Sequence, residues 1–360
     1  MINKIEKLKY LKLIIYLLSA LYLIFFIEFQ YSPDVNKFIN KAKLPLSEMN
    51  LLYFNIAYFF TIIIYKILLY LPNWEVFFVF LNFNFFFFTL YNIFFICKNL
   101  KVFKEKNNFL FIYIFILGVI NYEFSQWIKY GTSDLILIFF ITYCFRLFVE
   151  KKILSSLITY IFASFIKPQS ILFFIYILSN VILKKINYNL KNFLKFIAIL
   201  LIFFLLSYFI INSNKYLENI FFKIFLEKNI NGTIIVNRIY IDNFEPSIIE
   251  MIKLYSLKLV YFFSIYFDAY SLKHKVYNFI YFMYLYIPLL SGIFLYKYFL
   301  KFEKVVIINC LLIIFATVLF FVITFIDYDL RYRIYTYPFF IILNVIFVNS
   351  FMKCKFQFLK

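Results

Sequence analysis

Histidine and glycine are scarce in this 360-residue chain, and each shortage excludes a kind of site. One histidine, His274, is too few for a histidine-based metal site or a histidine-assisted nucleophile. Four glycines leave no glycine-rich loop of the kind that cradles phosphate groups. We therefore expect no histidine-based metal site and no bound cofactor, and the sequence leaves metal dependence open.

Apolar residues are what the chain has in excess. They make up 65% of it, with a mean hydropathy of +0.88, whereas about half of a soluble globular protein is apolar. Runs of about 20 apolar residues recur, long enough to cross a bilayer core as helices. The sequence predicts an all-α polytopic membrane protein in which residues 1–360 form one transmembrane domain. The predicted spans are residues 10–27, 75–97, 109–121, 135–149, 153–165, 170–183, 193–211, 277–295, 305–325 and 339–351.

Two apolar stretches near the start of the chain need a separate decision. The run at 10–27 has no small-residue cleavage site, so we expect a retained first helix and no cleavable signal peptide. Residues 51–71 are apolar as well, but Asn55 and Lys66 interrupt them and Pro72 ends them. This stretch predicts either an eleventh span or a helix lying in the membrane interface.

Basic residues decide the topology. If residues 51–71 do not cross and the N-terminus is cytoplasmic, the cytoplasmic segments hold 21 of the 37 basic residues but only 4 of the 18 acidic ones. That asymmetry follows the positive-inside rule, and a crossing by residues 51–71 would reverse every later lysine-rich loop. We therefore predict an interfacial helix there, with both termini on the cytoplasmic side of a bacterial inner membrane. The cysteines then lie at or near the cytoplasmic face and imply no disulfide framework: Cys97, Cys144, Cys310 and Cys354.

The same topology fixes the expected partners and the expected place of any chemistry. A formal charge of +19 would suggest nucleic acid in a soluble protein, but here the partner is predicted to be membrane lipid, and no nucleic acid is expected. Three outer regions follow, residues 28–74, 212–276 and 326–338, with short outer turns at 123–134 and 167–169. Most charged residues other than lysine near helix ends face this outer side.

Two of the four arginines, Arg331 and Arg333, occupy alternate positions in the last outer region. A guanidinium fork fits a carboxylate or phosphate group, so this pair predicts an anion-binding wall. Alternate residues diverge in direction, and only one of the two is expected to face a pocket. Alternatively, the arginines contact ordinary phospholipid or pair with the neighbouring acids. Further candidates in the same stretch are Asp327, Asp329 and Tyr332.

Asp34 follows the first predicted span within Pro33-Asp34-Val-Asn-Lys-Phe38. It is a candidate general base at the outer surface. The alternative is that Asp34 caps a short helix predicted at residues 35–42. Glu28 is a weaker candidate at a solvated helix end.

Lys167 and Asp134 each lie beside a predicted span at the outer face. Lys167 begins Lys167-Pro168-Gln169, and its ammonium group is a candidate ligand for an anionic headgroup, or else it snorkels to the interface. Asp134 follows Gly131-Thr-Ser and is a secondary candidate, or else it caps the helix that begins there.

Taken in order, these positions resemble the GT-C superfamily of membrane glycosyltransferases, in particular the bacterial relatives of protein mannosyltransferases and of the lipid A aminoarabinose transferase. The resemblance rests on an acid after the first span (Pro33-Asp34 to Phe38), interfacial helices before the second, and Lys167-Pro168-Gln169. It ends with Arg331-Tyr-Arg-Ile-Tyr-Thr-Tyr-Pro338 before the last span.

The resemblance implies an inverting glycosyltransferase whose donor is a polyprenyl-phosphate sugar at the outer face. Asp34 would take the proton of an acceptor hydroxyl on a glycan, lipid or protein. Lys167 with Arg331 or Arg333 would stabilise the leaving lipid phosphate. Two alternatives stay open: a polysaccharide polymerase or ligase acting on undecaprenyl-linked glycans, and a non-enzymatic transporter of lipid-linked sugars.

Overall fold

The structure is a computed structural model that describes residues 2–45, 58–98, 107–167, 170, 301–323 and 330–358, with isolated residues between 256 and 290. Helix accounts for 85% of this part of the chain, which contains no strand. Its one β-type feature is an isolated parallel bridge between Gln30 and Tyr130. The predicted all-α class is confirmed for these residues.

Ten α-helices lie within the described residues. They are α1 (Ile2–Phe26), α2 (Pro33–Lys43), α3 (Phe59–Leu68), α4 (Trp74–Lys98), α5 (Asn107–Ile120), α6 (Tyr122–Ser125), α7 (Asp134–Val149), α8 (Ile153–Ser164), α9 (Lys301–Ile323) and α10 (Tyr337–Phe358). Shorter pieces are two 3₁₀ helices, Gln126–Ile128 and Leu330–Tyr335, and a π-helical turn, Phe282–Tyr286.

Helices are present at seven of the ten predicted spans, and α3 lies within the predicted interfacial stretch. The predictions for residues 170–183, 193–211 and most of 277–295 fall outside the described residues. Within the described part, only α4 is long and apolar enough to cross a membrane. A second candidate arises if the 79° bent pair Phe109–Ile120 and Tyr122–Ile128 is one broken span.

The chain contacts group into two compact units. The first comprises residues 1–174, 272–299 and 337–360, and α4 is its centre, with α1, α5, α7 and α10 packed around it. The second comprises residues 175–271 and 300–336; in its described part, α9 contacts the 3₁₀ helix Leu330–Tyr335.

Helices α2 and α3 form a small amphipathic layer of the first unit. Val35, Phe38 and Ala42 bury one face of α2 against Ile62 and Tyr65 of α3. The ammonium group of Lys66 donates hydrogen bonds to the carbonyl oxygens of Leu44 (2.7 Å) and Ala42 (3.3 Å). These carbonyls lie at the C-terminal end of α2, where the helix dipole stabilises a cation. The layer is therefore held both by apolar burial and by a charged cap.

Helices α7 and α8 form a tight hairpin. The α7 terminus is a Schellman motif, in which the amides of Lys151 and Lys152 donate to the carbonyls of Phe148 and Leu147. Lys151 takes the left-handed conformation (φ 65°) that the motif requires. Farther along, the Cys144 thiol donates to the Ser156 carbonyl at 2.9 Å. The hairpin returns the chain so that the end of α8 lies beside the start of α7.

Candidate functional site

A buried ion pair marks the end of the first unit where α7 begins. The Lys167 ammonium group lies 2.5 Å from a carboxylate oxygen of Asp134, and the two side chains are 5% and 0% exposed. Asp134 is the first residue of α7, and Lys167 follows the end of α8. The hairpin thus joins two residues that the sequence nominated separately as site candidates. Because Lys167 is buried, it does not snorkel as the alternative predicted.

The segment after α1 is fastened to the segment before α7. The Gln30 amide donates to the Lys129 carbonyl (2.9 Å), and the Gly131 amide donates to the Gln30 carbonyl. From α4, the buried Asn82 amide group donates to the Tyr130 carbonyl at 2.8 Å. These bonds bring the chain that carries Asp34 alongside the chain that carries Asp134.

Tyr65 of α3 links the same two segments. Its hydroxyl donates a hydrogen bond to the carbonyl of Gly131. Burial raises the pKa of this hydroxyl, and the negative charge of Asp34 raises it further. The Tyr65 hydroxyl therefore stays neutral and remains a hydrogen-bond donor. Sequence reasoning treated residues 51–71 as an apolar helix and missed this tyrosine.

The α3 helix also contacts the end of α8. The Phe60 amide donates to the Phe165 carbonyl at 3.0 Å, and the Thr61 hydroxyl donates to the Ile166 carbonyl at 2.8 Å. The residue next to Lys167 is therefore held by α3. These contacts hold together the segments that carry five residues of interest. We call these residues the end cluster: Asp34, Tyr65, Gly131, Asp134 and Lys167.

Gly131 occupies the closest approach in the end cluster, and Gly131→Ala is expected to destabilise the protein by about 1–3 kcal/mol through overpacking. A Cβ atom there would lie 2.7 Å from both the Tyr65 hydroxyl and a Val35 methyl group, and closer still to the Phe29 ring. These neighbours come from three segments and cannot all withdraw. Thermal unfolding in one detergent would measure the loss.

The matched control is Gly118→Ala. There the three nearest atoms to the new Cβ atom, from 2.6 Å, all belong to the one flexible side chain of Leu90, so a single neighbour must give way. We expect a smaller loss of stability at Gly118. Equal losses in the two variants would contradict the role given to Gly131.

Asp34 lies in the first turn of α2 and does not cap it. The N-cap is Ser32, with extended backbone, and Pro33 occupies the first turn, so the capping alternative was wrong. An acid there is favoured by the helix dipole. The Asp34 side chain is 36% exposed, and the Lys37 ammonium group lies 3.9 Å from one of its oxygens. The carboxylate is thus accessible to a reacting hydroxyl.

Asp134 does not cap α7 either, because Ser133 is the N-cap. Thr132 and Ser133 are each 1% exposed, and within the described residues neither hydroxyl has a hydrogen-bond partner. A buried hydroxyl without a hydrogen-bond partner lowers the stability of the fold. The sequence Gly-Thr-Ser-Asp places two such hydroxyls directly before the buried carboxylate of Asp134. Sequence reasoning noted this segment but assigned no role to the two hydroxyls.

A second buried carboxylate, Glu123, was also missed. It lies in α6, just after the bend from α5, and accepts a hydrogen bond from the Tyr337 hydroxyl at the start of α10. Glu123 is 8% exposed and Tyr337 is 1% exposed. An acid within a predicted outer turn was the signal that could have pointed to it.

Of the remaining predicted site residues, the structure describes the side chains of Glu28 and Arg333. Glu28 is exposed. Arg333 is buried in the second unit, where its carbonyl accepts hydrogen bonds from the amide and hydroxyl of Thr336. Asp327 and Asp329 lie outside the described residues, as do the side chains of Arg331 and Tyr332. Within the described part, no group of three or more acidic, histidine or cysteine residues is placed to hold a metal ion.

Comparison with known proteins gives no relative for this chain. No protein-family model, no curated protein and no solved structure matches it.

Proposed function

We propose that this protein is an inverting membrane glycosyltransferase of the GT-C type that moves a sugar from a polyprenyl-phosphate donor to an acceptor hydroxyl. The observation that carries the proposal is the end cluster. Asp34, Asp134 and Lys167 were selected from separate outer turns, and hydrogen bonds hold the segments that carry them next to one another. The proximity of these segments supports a role for the three residues in one active site.

A membrane location is supported by the polarity of α8. Its buried residues are small or polar, Ser156, Thr159 and Ala163, whereas its large apolar side chains are exposed. Leu154 is 73% exposed and Ile161 is 55% exposed. Small and polar residues between helices, with apolar residues outward, are typical of helices that face lipid. In the proposed topology, the described helices belong to a polytopic protein of the bacterial inner membrane.

Ile158→Lys tests that location. Ile158 lies in the middle of α8 and is 47% exposed. Lysine at the centre of a membrane helix costs about 2.5–3.5 kcal/mol, so we expect less folded protein to accumulate in the membrane fraction. On a water-exposed surface the same change is usually within about 0.5 kcal/mol. Ile158→Val is the control, and equal accumulation of the two variants in the membrane fraction would refute lipid exposure.

In the proposed reaction, Asp34 accepts the proton of the acceptor hydroxyl. The acceptor oxygen then forms a bond to the anomeric carbon, while the bond from that carbon to the phosphate oxygen breaks. The lipid phosphate leaves with the electron pair and needs no proton, because it is stable as an anion. The sequence prediction assigns stabilisation of the phosphate charge to Arg331 or Arg333. The sequence predicted Lys167 for that task as well.

The test uses the full-length protein in proteoliposomes. Polyprenyl phosphates carrying one of several hexoses are supplied with a membrane lipid extract as acceptor, and release of bare polyprenyl phosphate is measured. Transfer from at least one monophosphate donor supports the proposal. Consumption of diphosphate-linked oligosaccharide alone would instead indicate a polymerase or ligase. Movement of donor across the bilayer without consumption would indicate a transporter.

A further inference from the structure

Lys167 is accompanied by its own counter-ion. Asp134 lies 2.5 Å from its ammonium group, and both side chains are buried, so the pair has no net charge. A phosphate bound to Lys167 would also lie close to the Asp134 carboxylate. Inside a protein, where screening is weak, that repulsion opposes phosphate binding. The electrostatics therefore disfavour Lys167 as a ligand of the donor phosphate.

The neighbouring hydroxyls point to a different ligand. Thr132 and Ser133 directly precede Asp134, and their hydroxyl oxygens are buried without a hydrogen-bond partner in the described part of the chain. A hydroxyl both donates and accepts, an ammonium group only donates, and a carboxylate only accepts. A neutral ligand rich in hydroxyl groups can satisfy all three kinds, whereas phosphate offers only acceptors.

We propose that Thr132, Ser133, Asp134 and Lys167, here called the α7 cluster, bind the hydroxyl groups of the donor's sugar ring. This inference rests on the proposed glycosyltransferase function. Asp134 accepts hydrogen bonds from the sugar, Lys167 donates to it, and the two hydroxyls do either. The lipid phosphate is left to the other cations that the sequence predicts for it, Arg331 or Arg333.

The role has a consequence for stability. If Thr132 and Ser133 exist for the fold, their removal should lower the melting temperature. If they exist for the sugar, replacing hydroxyls that have no partner should leave the melting temperature of the ligand-free protein unchanged or raise it, because a buried unsatisfied group is removed. Stability and ligand affinity should then change independently.

The experiment uses full-length protein in nanodiscs and the double variant Thr132→Val, Ser133→Ala. Thr142→Val is the matched control, since its buried hydroxyl lies on α7 and is satisfied by the carbonyls of Ile138 and Phe139. Dissociation constants are measured for bare polyprenyl phosphate and for the hexose-bearing lipids. The melting temperature is recorded without ligand.

We expect the double variant to lose about tenfold or more in affinity for the hexose-bearing lipid, as for one or two lost hydrogen bonds. Its affinity for bare polyprenyl phosphate should stay within about twofold of wild type. Equal losses for both lipids would overturn the inference in favour of phosphate binding. A lower melting temperature with both affinities unchanged would overturn it in favour of a structural role.

The outcomes also separate this inference from the proposed function. If wild type prefers a hexose-bearing lipid and transfers the sugar, but the double variant retains the preference, only the α7 cluster assignment fails. If wild type neither distinguishes the two lipids nor transfers sugar, the glycosyltransferase function itself fails, and the α7 cluster assignment fails with it.

Discussion

Lys167→Met should destabilise the folded protein by about 3–5 kcal/mol, the usual cost of breaking a buried ion pair from one side. The change keeps most of the side-chain volume but leaves the Asp134 carboxylate buried without the cation that lies 2.5 Å away. Denaturant or thermal unfolding in one detergent would measure the loss.

Two comparisons make the Lys167→Met result specific. Lys152→Met removes a pair of similar length, 2.9 Å to Glu150, but Lys152 is 60% exposed, so the expected loss is at most about 1 kcal/mol. Adding Asp134→Leu to Lys167→Met removes the stranded charge and should recover much of the stability. Equal losses for Lys167→Met and Lys152→Met would contradict the burial of the pair.

Asp34→Asn should lower the rate of sugar transfer by about 100- to 10,000-fold, the usual contribution of a general base. The amide has nearly the same shape as the carboxylate but cannot take the acceptor proton. The position in the first turn of α2 and the apolar packing of that helix do not require the charge. The folded protein should therefore remain intact, and the initial rate of polyprenyl phosphate release would report on chemistry alone.

Glu150→Gln is the control for Asp34→Asn. Glu150 is the C-cap of α7 and forms ion pairs with Arg146 and Lys152. It lies far in sequence from Asp34, the predicted catalytic base. Its loss should leave the transfer rate near wild type. A full transfer rate in Asp34→Asn would remove Asp34 from the mechanism, while equal rate losses in the two variants would indicate a general effect on the fold.

The helices were predictable because they follow from local composition. Long apolar runs without proline predicted α4 and α7 to within one residue at each end. The alternative that Asp34 and Asp134 cap α2 and α7 was wrong, because serines are the N-caps. The α3 helix was predicted too, but its role was not. Nothing near Tyr65 in the sequence indicates that its hydroxyl meets Gly131, 66 residues away.

The candidate site was predictable only as separate parts. Sequence order placed Asp134 and Lys167 at ends of neighbouring helices, but their pairing depends on the length and return of the hairpin between them. The Glu123–Tyr337 bond spans 214 residues and gives no local signal. The partnerless hydroxyls of Thr132 and Ser133 follow from how loops pack around them, and composition carries no information about that.

The α7–α8 hairpin has a consequence for how this chain can vary in length. Adding or deleting one residue within a helix rotates everything beyond it by about 100°. Such a change inside α7 or α8 would turn either the Cys144–Ser156 contact or the Asp134–Lys167 pair out of register. The number of residues between the two charges, whose positions differ by 33, therefore cannot change without breaking the pair. A loop that ends in no such contact tolerates insertions at a small cost in closure entropy.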